Sequence, residues 1–240
     1  MPPFRVYGHR GAAAHHPENT MCSFRAAVDA GVDAIETDVR LTADGVVAVF
    51  HDADGARTCG RPEKVREVPW SVVATWDAGA GERPVRLEDL LEAWPGTFLN
   101  VDVKDDDPVA ALATLEVVRR AGAAERVGLG SFHGGVVRAL RRAGWTGQLA
   151  LAPAEVAAVR LLPSFVTRPW VARGSAAQIP THRGPFRLDH PAFVARCHSL
   201  GLRVDYWTID DPAEAVALVQ AGADGIVTND PAKIRAALGR

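Results

Sequence analysis

The chain has 240 residues, 48% apolar and 23% charged, with a net charge of −2. That length supports one large core, and the near-neutral balance with no nucleic-acid motif argues against a polyanion partner. No apolar run reaches the about 18 residues of a membrane span, and Arg5, His9 and Arg10 stand where a signal peptide would turn apolar, so a soluble, unprocessed chain without stable membrane insertion is expected.

In chain order, residues 4–7 predict a short strand running into Gly8-His9-Arg10-Gly11, a polar turn bracketed by glycines. After a loop over 12–17, Asn19 or Thr20 caps a helix to Ala30, because Met21, Phe24, Ala27 and Val28 recur at helical spacing and Gly31 supplies the stop. Residues 32–39 then read as a strand on which Glu36 and Asp38, two apart, leave the same face. Adjacent carboxylates repel, and an unpaired buried carboxylate is among the costliest groups a fold can hold. Two readings stand at this point: a hard divalent cation between the acids, or a solvent-facing edge of an antiparallel strand with Ile35 and Thr37 inside.

A hairpin-type turn over 42–45 leads to an apolar strand over 46–50, with His51 and Asp52 at its end. Residues 53–86 have weak periodicity and several Gly and Pro, which predicts an excursion with one short helix over 70–76. Trp70 and Trp76 within it fit a functional loop or, more simply, a small satellite core.

The pattern then becomes regular. Helices are expected over 87–94, 108–121, 136–142, 154–162, 191–200, 212–221 and 232–238. Strands are expected over 98–104, 127–132, 148–152, 175–179, 202–209 and 225–228, with an irregular stretch over 164–174. About eight strand–helix alternations in one domain-sized length predict a single α/β domain, a closed (β/α)8 TIM barrel. Segments 30–38 and 221–229 echo one another, each a helix end, a glycine stop and a buried strand. An open doubly wound sheet is the alternative, but no Gly-rich dinucleotide fingerprint follows any strand.

A barrel's active site lies at the C-terminal ends of its strands. There the expected elements place His9 and Arg10, Glu36 and Asp38, His51, Asp102 and Lys104, and later Ser131, Gln178, Trp207 with Asp210, and Asn229 with Asp230. That shared mouth favours the cation reading. Glu36, Asp38 and Asp102 offer carboxylate oxygens to Mg²⁺ or Ca²⁺ rather than to zinc, which prefers imidazole. A cation with Arg10 and Lys104 makes a positive cup for an anionic substrate such as a phosphate ester. Either histidine alone is more simply a structural hydrogen bonder, but His9 and His51 together beside three acids suit proton transfer. Cys22, Cys59 and Cys197 are odd in number and lack metal-ligand spacing, so a reducing cytoplasm is expected. Among 27 basic residues only Lys64, Lys104 and Lys233 are lysines, so each invites a reason.

The residues in order, Gly8-His9-Arg10-Gly11, Pro17-Glu18-Asn19-Thr20, Glu36-Thr37-Asp38-Val39 and His51-Asp52, resemble the signature of the glycerophosphodiester phosphodiesterases. The resemblance continues through Asn100-Val101-Asp102-Val103-Lys104, Ser131-Phe132, Gln178-Ile179-Pro180, Tyr206-Trp207-Thr208 and Gly225-Ile226-Val227-Thr228, nearly the whole chain. It implies a barrel enzyme that hydrolyses glycerophosphodiesters to sn-glycerol 3-phosphate and an alcohol, using a divalent metal and a histidine pair. By position it implies His9 and His51 for acid and base work, Glu36, Asp38 and Asp102 for metal, and Arg10 and Lys104 for phosphate. Glu18 would orient Arg10 or a substrate hydroxyl, and Trp207 would wall the pocket.

Departures from the family pattern include Asp102 where Glu is usual, Asp210 where Asn is common, and His15 and His16 in place of small residues. The resemblance also leaves room for a lysophospholipase D-like activity on lipid diesters, favoured by an apolar rim of Trp70, Trp76, Phe132 and Trp207. A silent barrel that only binds a phosphorylated metabolite is the non-enzymatic alternative.

Overall fold

The computed structural model describes residues 3–171, 174–184 and 186–240. Eight parallel strands form the ring: β1 Arg5–His9, β2 Ala34–Leu41, β3 Phe98–Val103, β4 Val127–Gly130, β5 Gln148–Leu149, β6 Ala176–Ile179, β7 Arg203–Tyr206 and β8 Gly225–Thr228. Their spatial order is β6-β7-β8-β1-β2-β3-β4-β5, and a parallel bridge from Ala150 to Ala176 joins the two ends. An open doubly wound sheet is thereby excluded.

Two layers divide the labour. Ile35 and Val39 of β2 and Leu99, Val101 and Val103 of β3 are fully buried in the apolar layer beneath the helices. Each such side chain contributes about 1.5–3 kcal/mol by leaving water. Alternate residues on the same strands, Glu36, Asp38, Asn100 and Asp102, face a cleft instead. Stability therefore comes mainly from outside the ring, and the inside is free to carry costly polar groups.

The strand expected over 46–50 is not part of this ring. Val47–Val49 runs antiparallel to β2, with Val39 opposite Val49, and also pairs with the short strand Val85–Arg86. β2 is long enough to overshoot its neighbour, so the return strand carries the chain back until Phe50 N donates to Asp38 O at 2.9 Å. That hairpin brings His51 down to the level of the β2 acids.

The excursion is more ordered than its sequence suggests. It holds helices at Ala56–Cys59 and Trp70–Val73, a 3-10 turn at Val65–Glu67, and an antiparallel pair Asp54–Gly55 with Arg61–Lys64. Trp76, 1% exposed, packs with Ala48, Phe50, Val65 and Val73, and Trp70 lies against the same group, so both tryptophans belong to a satellite core and not to an apolar rim. The stretch expected to be irregular over 164–174 contains a helix, Ser164–Val171, while residues 172 and 173 lie outside the described ones. Thr20, not Asn19, caps the first helix, Met21–Asp29, its hydroxyl accepting from Ser23 N. Among the described residues no helix is long and apolar enough to cross a membrane.

Candidate active site

β1 ends where the chain must double back tightly. A Cβ on Gly8 would lie 2.6 Å from Gly11 O, and Gly11 has φ +92°, so neither position admits a side chain without strain. The turn presents His9 and Arg10 to a cleft of about 380 Å³, which Glu36, Asp38, His51, Asp102, Lys104 and Trp207 also line. Glu18 stands outside this lining, behind Arg10.

Asp38 and Asp102 are register partners across β2 and β3, with Glu36 and Asn100 one pair deeper. Lys104 Nζ lies 2.9 Å from Asp38 Oδ1 and 2.6 Å from Asp102 Oδ2, while Arg10 Nε lies 3.0 Å from Asp38 Oδ2. Asn19 Nδ2 also donates to Asp38 Oδ2 at 3.1 Å. Burial works against the Asp38 charge, but Lys104 and Arg10 outweigh it and hold the carboxyl below its usual range. Burial likewise opposes the Lys104 charge, and Asp102 and Asp38 overcome it and raise the ammonium. Glu36 goes the other way: burial, then Asp38, push its carboxyl well above the usual range. The cations of the cup are thus committed to Asp38 and Asp102, leaving Glu36, among the described residues, without an arginine or lysine side chain of its own.

The two histidines differ in what stands behind them. His9 Nδ1 is 2.7 Å from Asn229 Oδ1, and its Nε2 faces Glu36 Oε2 at 3.8 Å. Burial lowers the His9 pKa, and Arg10 and Lys104 add to that, against the hydrogen bond to Asn229. His51 Nδ1 is 2.6 Å from Asp52 Oδ1, so a carboxylate is placed to stabilise positive charge on that ring. Burial therefore favours the neutral form of one imidazole, and the other has a carboxylate beside it.

Whether the acids suit a divalent cation turns on their free oxygens. Among the described residues no three His, Cys, Asp or Glu side chains are placed to hold a metal as they stand, because Lys104 occupies the gap between Asp38 and Asp102. Asp38 Oδ1 has Lys104 Nζ at 2.9 Å and Asp38 Oδ2 has Arg10 Nε at 3.0 Å, so the Asp38 charge is already met. Glu36, buried and crowded by Asp38, is the carboxylate with unmet demand for positive charge, and beside the oxygens of Asp38 and Asp102 it fits a hard ion.

Four further residues act here that motif reading assigned no role. Asn229 backs His9 and Asp52 backs His51, while Asn19 bridges Thr37 and Asp38, accepting from Thr37 Oγ1 at 2.8 Å. Arg57 reaches in from the excursion. Asn19 and Asp52 stand inside quoted motifs and Asn229 at a strand end, so of the four only Arg57 carried no sequence signal. Phe132 and Trp207 meet edge to face at 5.7 Å on the cleft wall, and Trp207 also lines a second, largely apolar groove of about 360 Å³.

A parallel barrel whose strand ends gather carboxylates, two fixed cations and two imidazoles in one cleft defines a phosphoester hydrolase. The chain belongs to the glycerophosphoryl diester phosphodiesterase family, whose model matches residues 9–233, and it is a phosphoric diester hydrolase with glycerophosphodiester phosphodiesterase function. A Mycobacterium tuberculosis relative, "Probable glycerophosphodiester phosphodiesterase 2", is 34% identical, covering 94% of this chain and 89% of its own. The crystal structure of a glycerophosphodiester phosphodiesterase from Agrobacterium tumefaciens superposes with a TM-score of 0.84 at 25% identity, over 99% of this chain and 100% of that one. An Oleispira antarctica phosphodiesterase, solved with the product sn-glycerol-3-phosphate, has the same fold, with a TM-score of 0.79 at 22% identity over 100% of this chain and 98% of that one.

Proposed function

We propose that this chain hydrolyses glycerophosphodiesters to sn-glycerol 3-phosphate and an alcohol, with a divalent cation, Mg²⁺ or Ca²⁺, held by Glu36, Asp38 and Asp102. The observation that carries this reading is the opening of His9 and His51 onto the same cleft as Arg10 and Lys104. When bound, the cation supplies Lewis-acid polarisation of a phosphoryl oxygen. Arg10 and Lys104 hold the remaining phosphoryl oxygens and offset the charge that grows on them. His9, its pKa lowered by burial, takes at Nε2 the proton of the attacking oxygen, either that of water or that of the neighbouring glycerol hydroxyl, whose cyclic phosphate water then opens. His51, charge-balanced by Asp52, gives a proton to the departing alkoxide. Glu18 holds Arg10, donated to at 2.9 Å, and Trp207 forms the wall beside the leaving group.

The test is release of sn-glycerol 3-phosphate from glycerophosphocholine, with and without EDTA, by wild type, His9→Ala and His51→Ala. Loss of about 10²–10⁴-fold in each variant is expected for a positioned acid or base. Wild-type rates in either variant would remove the proton-transfer pair.

A second substrate reading, lysophospholipase D-like cleavage of lipid diesters, is favoured by the apolar groove. Val156, Ala157, Ile179 and Leu188 line it, and Leu151, Gln178 and Trp207 line both it and the cleft. An acyl chain on the diester could lie there. Choline release from lysophosphatidylcholine, lost on Ala157→Trp while glycerophosphocholine turnover persists, would establish it.

A further inference from the structure

Arg57 lies in the excursion, outside every motif that carries the family resemblance, and its side chain is 51% exposed. Its guanidinium nevertheless spends three N–H groups on two carboxylates. Nη1 and Nη2 donate to Glu18 Oε2 and Oε1 at 2.8 and 2.6 Å, and Nε donates to Asp52 Oδ2 at 2.6 Å. Each carboxylate has a second partner in the site. Glu18 Oε1 also accepts from Arg10 Nη1 at 2.9 Å, and Asp52 Oδ1 is 2.6 Å from His51 Nδ1. The contacts form one chain: Arg10, Glu18, Arg57, Asp52, His51.

We propose that Arg57 is a positioning residue for the hydrolysis, locking the carboxylate that steers the phosphate-binding Arg10 to the carboxylate that backs His51. This inference rests on the roles assigned to Arg10 and His51 above. A planar fork with fixed donor angles can serve both carboxylates at once, whereas a lysine ammonium would offer one compact charge. Without Arg57, among the described residues Glu18 would be held only by Arg10 and Asp52 only by His51. Each would then be free to swing toward solvent and take its catalytic partner along.

The location of Arg57 follows from the satellite core. The helix Ala56–Cys59 begins after Gly55, where a Cβ would lie 2.9 Å from the Trp76 ring. Trp76 in turn packs edge-on against Phe50, the residue before His51. The same packing therefore sets the place of Arg57 and of the histidine it supports.

A role confined to stability would show differently. Ion pairs this exposed contribute little to stability, so Arg57→Ala should leave the melting temperature nearly unchanged. The decisive measurement is kinetics on glycerophosphocholine together with calorimetric binding of sn-glycerol 3-phosphate. The variants are Arg57→Ala, Arg57→Lys, Glu18→Gln, Asp52→Asn, and Arg57→Ala added to the Glu18→Gln/Asp52→Asn pair. Arg57→Gln, which keeps the aliphatic stem, replaces the alanine variant should that one not fold.

We expect Arg57→Ala to lower kcat/KM by about 10- to 100-fold, as losing the partner behind a functional side chain commonly does. Glu18→Gln should weaken product binding and raise KM, Asp52→Asn should lower kcat, and Arg57→Ala should do both. In the double-variant background Arg57→Ala should add nothing. Wild-type kinetics in Arg57→Ala, an additive loss in that background, or full rescue by lysine would each overturn the proposal. Absent turnover in wild type would instead sink the hydrolase roles, and product affinity of Arg57→Ala against wild type would still decide the link to Arg10.

Discussion

Asp210 Oδ2 accepts from Asn229 Nδ2 at 2.7 Å, and this contact decides which way the Asn229 amide faces. Burial opposes the Asp210 charge, but hydrogen bonds from Asn229 and Thr228 hold its carboxyl below the usual range, so it is ionised and can only accept. The amide NH₂ must therefore point to Asp210, and Asn229 Oδ1 is left to face His9 Nδ1. His9 then carries its hydrogen on Nδ1 and offers Nε2 to the cleft, the tautomer a general base requires. Asp210, a departure from the family pattern, works as the anchor of that arrangement.

A pH profile tests it. Asn229→Leu keeps the burial that lowers the His9 pKa and removes the hydrogen bond that raises it, so the pKa should fall further. A base is active when neutral, and activity is lost as pH falls through its pKa. The acid limb of kcat/KM should thus move to lower pH, with a reduced plateau because the tautomer is no longer fixed. An unmoved limb would detach Asn229 from His9.

The oxygen set of Glu36, Asp38 and Asp102 makes a prediction separate from turnover. Mg²⁺ or Ca²⁺ should raise the melting temperature, by an amount equivalent to about 2.7 kcal/mol at a concentration 100-fold above Kd. Glu36→Gln should remove most of that shift, since Glu36 is the carboxylate that neither Lys104 nor Arg10 pairs. A full shift in Glu36→Gln would place the ion elsewhere.

Much of this site was legible in the sequence, for a definite reason. Charged residues two apart on a strand share a face, so spacing paired Glu36 with Asp38 and Asp102 with Lys104, and their common place at the strand ends then favoured a cation over a solvent-facing edge. The barrel then brings them together, Asp38 opposite Asp102. Residues that reach the site by tertiary packing left no such trace. Val47–Val49 read as one more apolar strand because period and composition do not encode strand direction. Ser164–Val171 read as irregular because its serine, threonine and proline weaken the periodic signal. Arg57 was hidden because its role depends on where an excursion with weak periodicity docks, which is a matter of Trp76 and Phe50 packing.

The floor of the barrel holds a buried ion pair whose removal should be costly. Arg203 Nε and Nη2 donate to Asp205 Oδ1 at 2.9 and 2.8 Å, and Tyr7 Oη donates to Asp205 Oδ2 at 3.2 Å. Asp205→Ala would leave a guanidinium, only 3% exposed, without its counter-charge. The expected loss is about 3–5 kcal/mol, read by urea unfolding. A loss below about 1 kcal/mol would make the pair no more valuable than one at the surface.

The satellite core offers a way to disturb the catalytic arm without touching the cleft. Gly55 does not line the cleft, but a methyl group there would meet Trp76 Cε3 and Cζ3 at 2.9 Å. These are ring atoms of a side chain that is 1% exposed and wedged against Phe50 at 5.8 Å, so the clash cannot be relieved by a flexible end swinging away. Gly55→Ala should therefore cost about 1–3 kcal/mol, typical of overpacking. Relief must come from moving the ring or the helix Ala56–Cys59. The first pushes on Phe50 and His51, and the second carries Arg57 away from Glu18 and Asp52. Either way kcat should fall along with the melting temperature, and divalent cations should not restore it, because their carboxylates sit on other strands. A Gly55→Ala enzyme with native kcat and a lowered melting temperature would show that the excursion core supports the fold but not the geometry of His51.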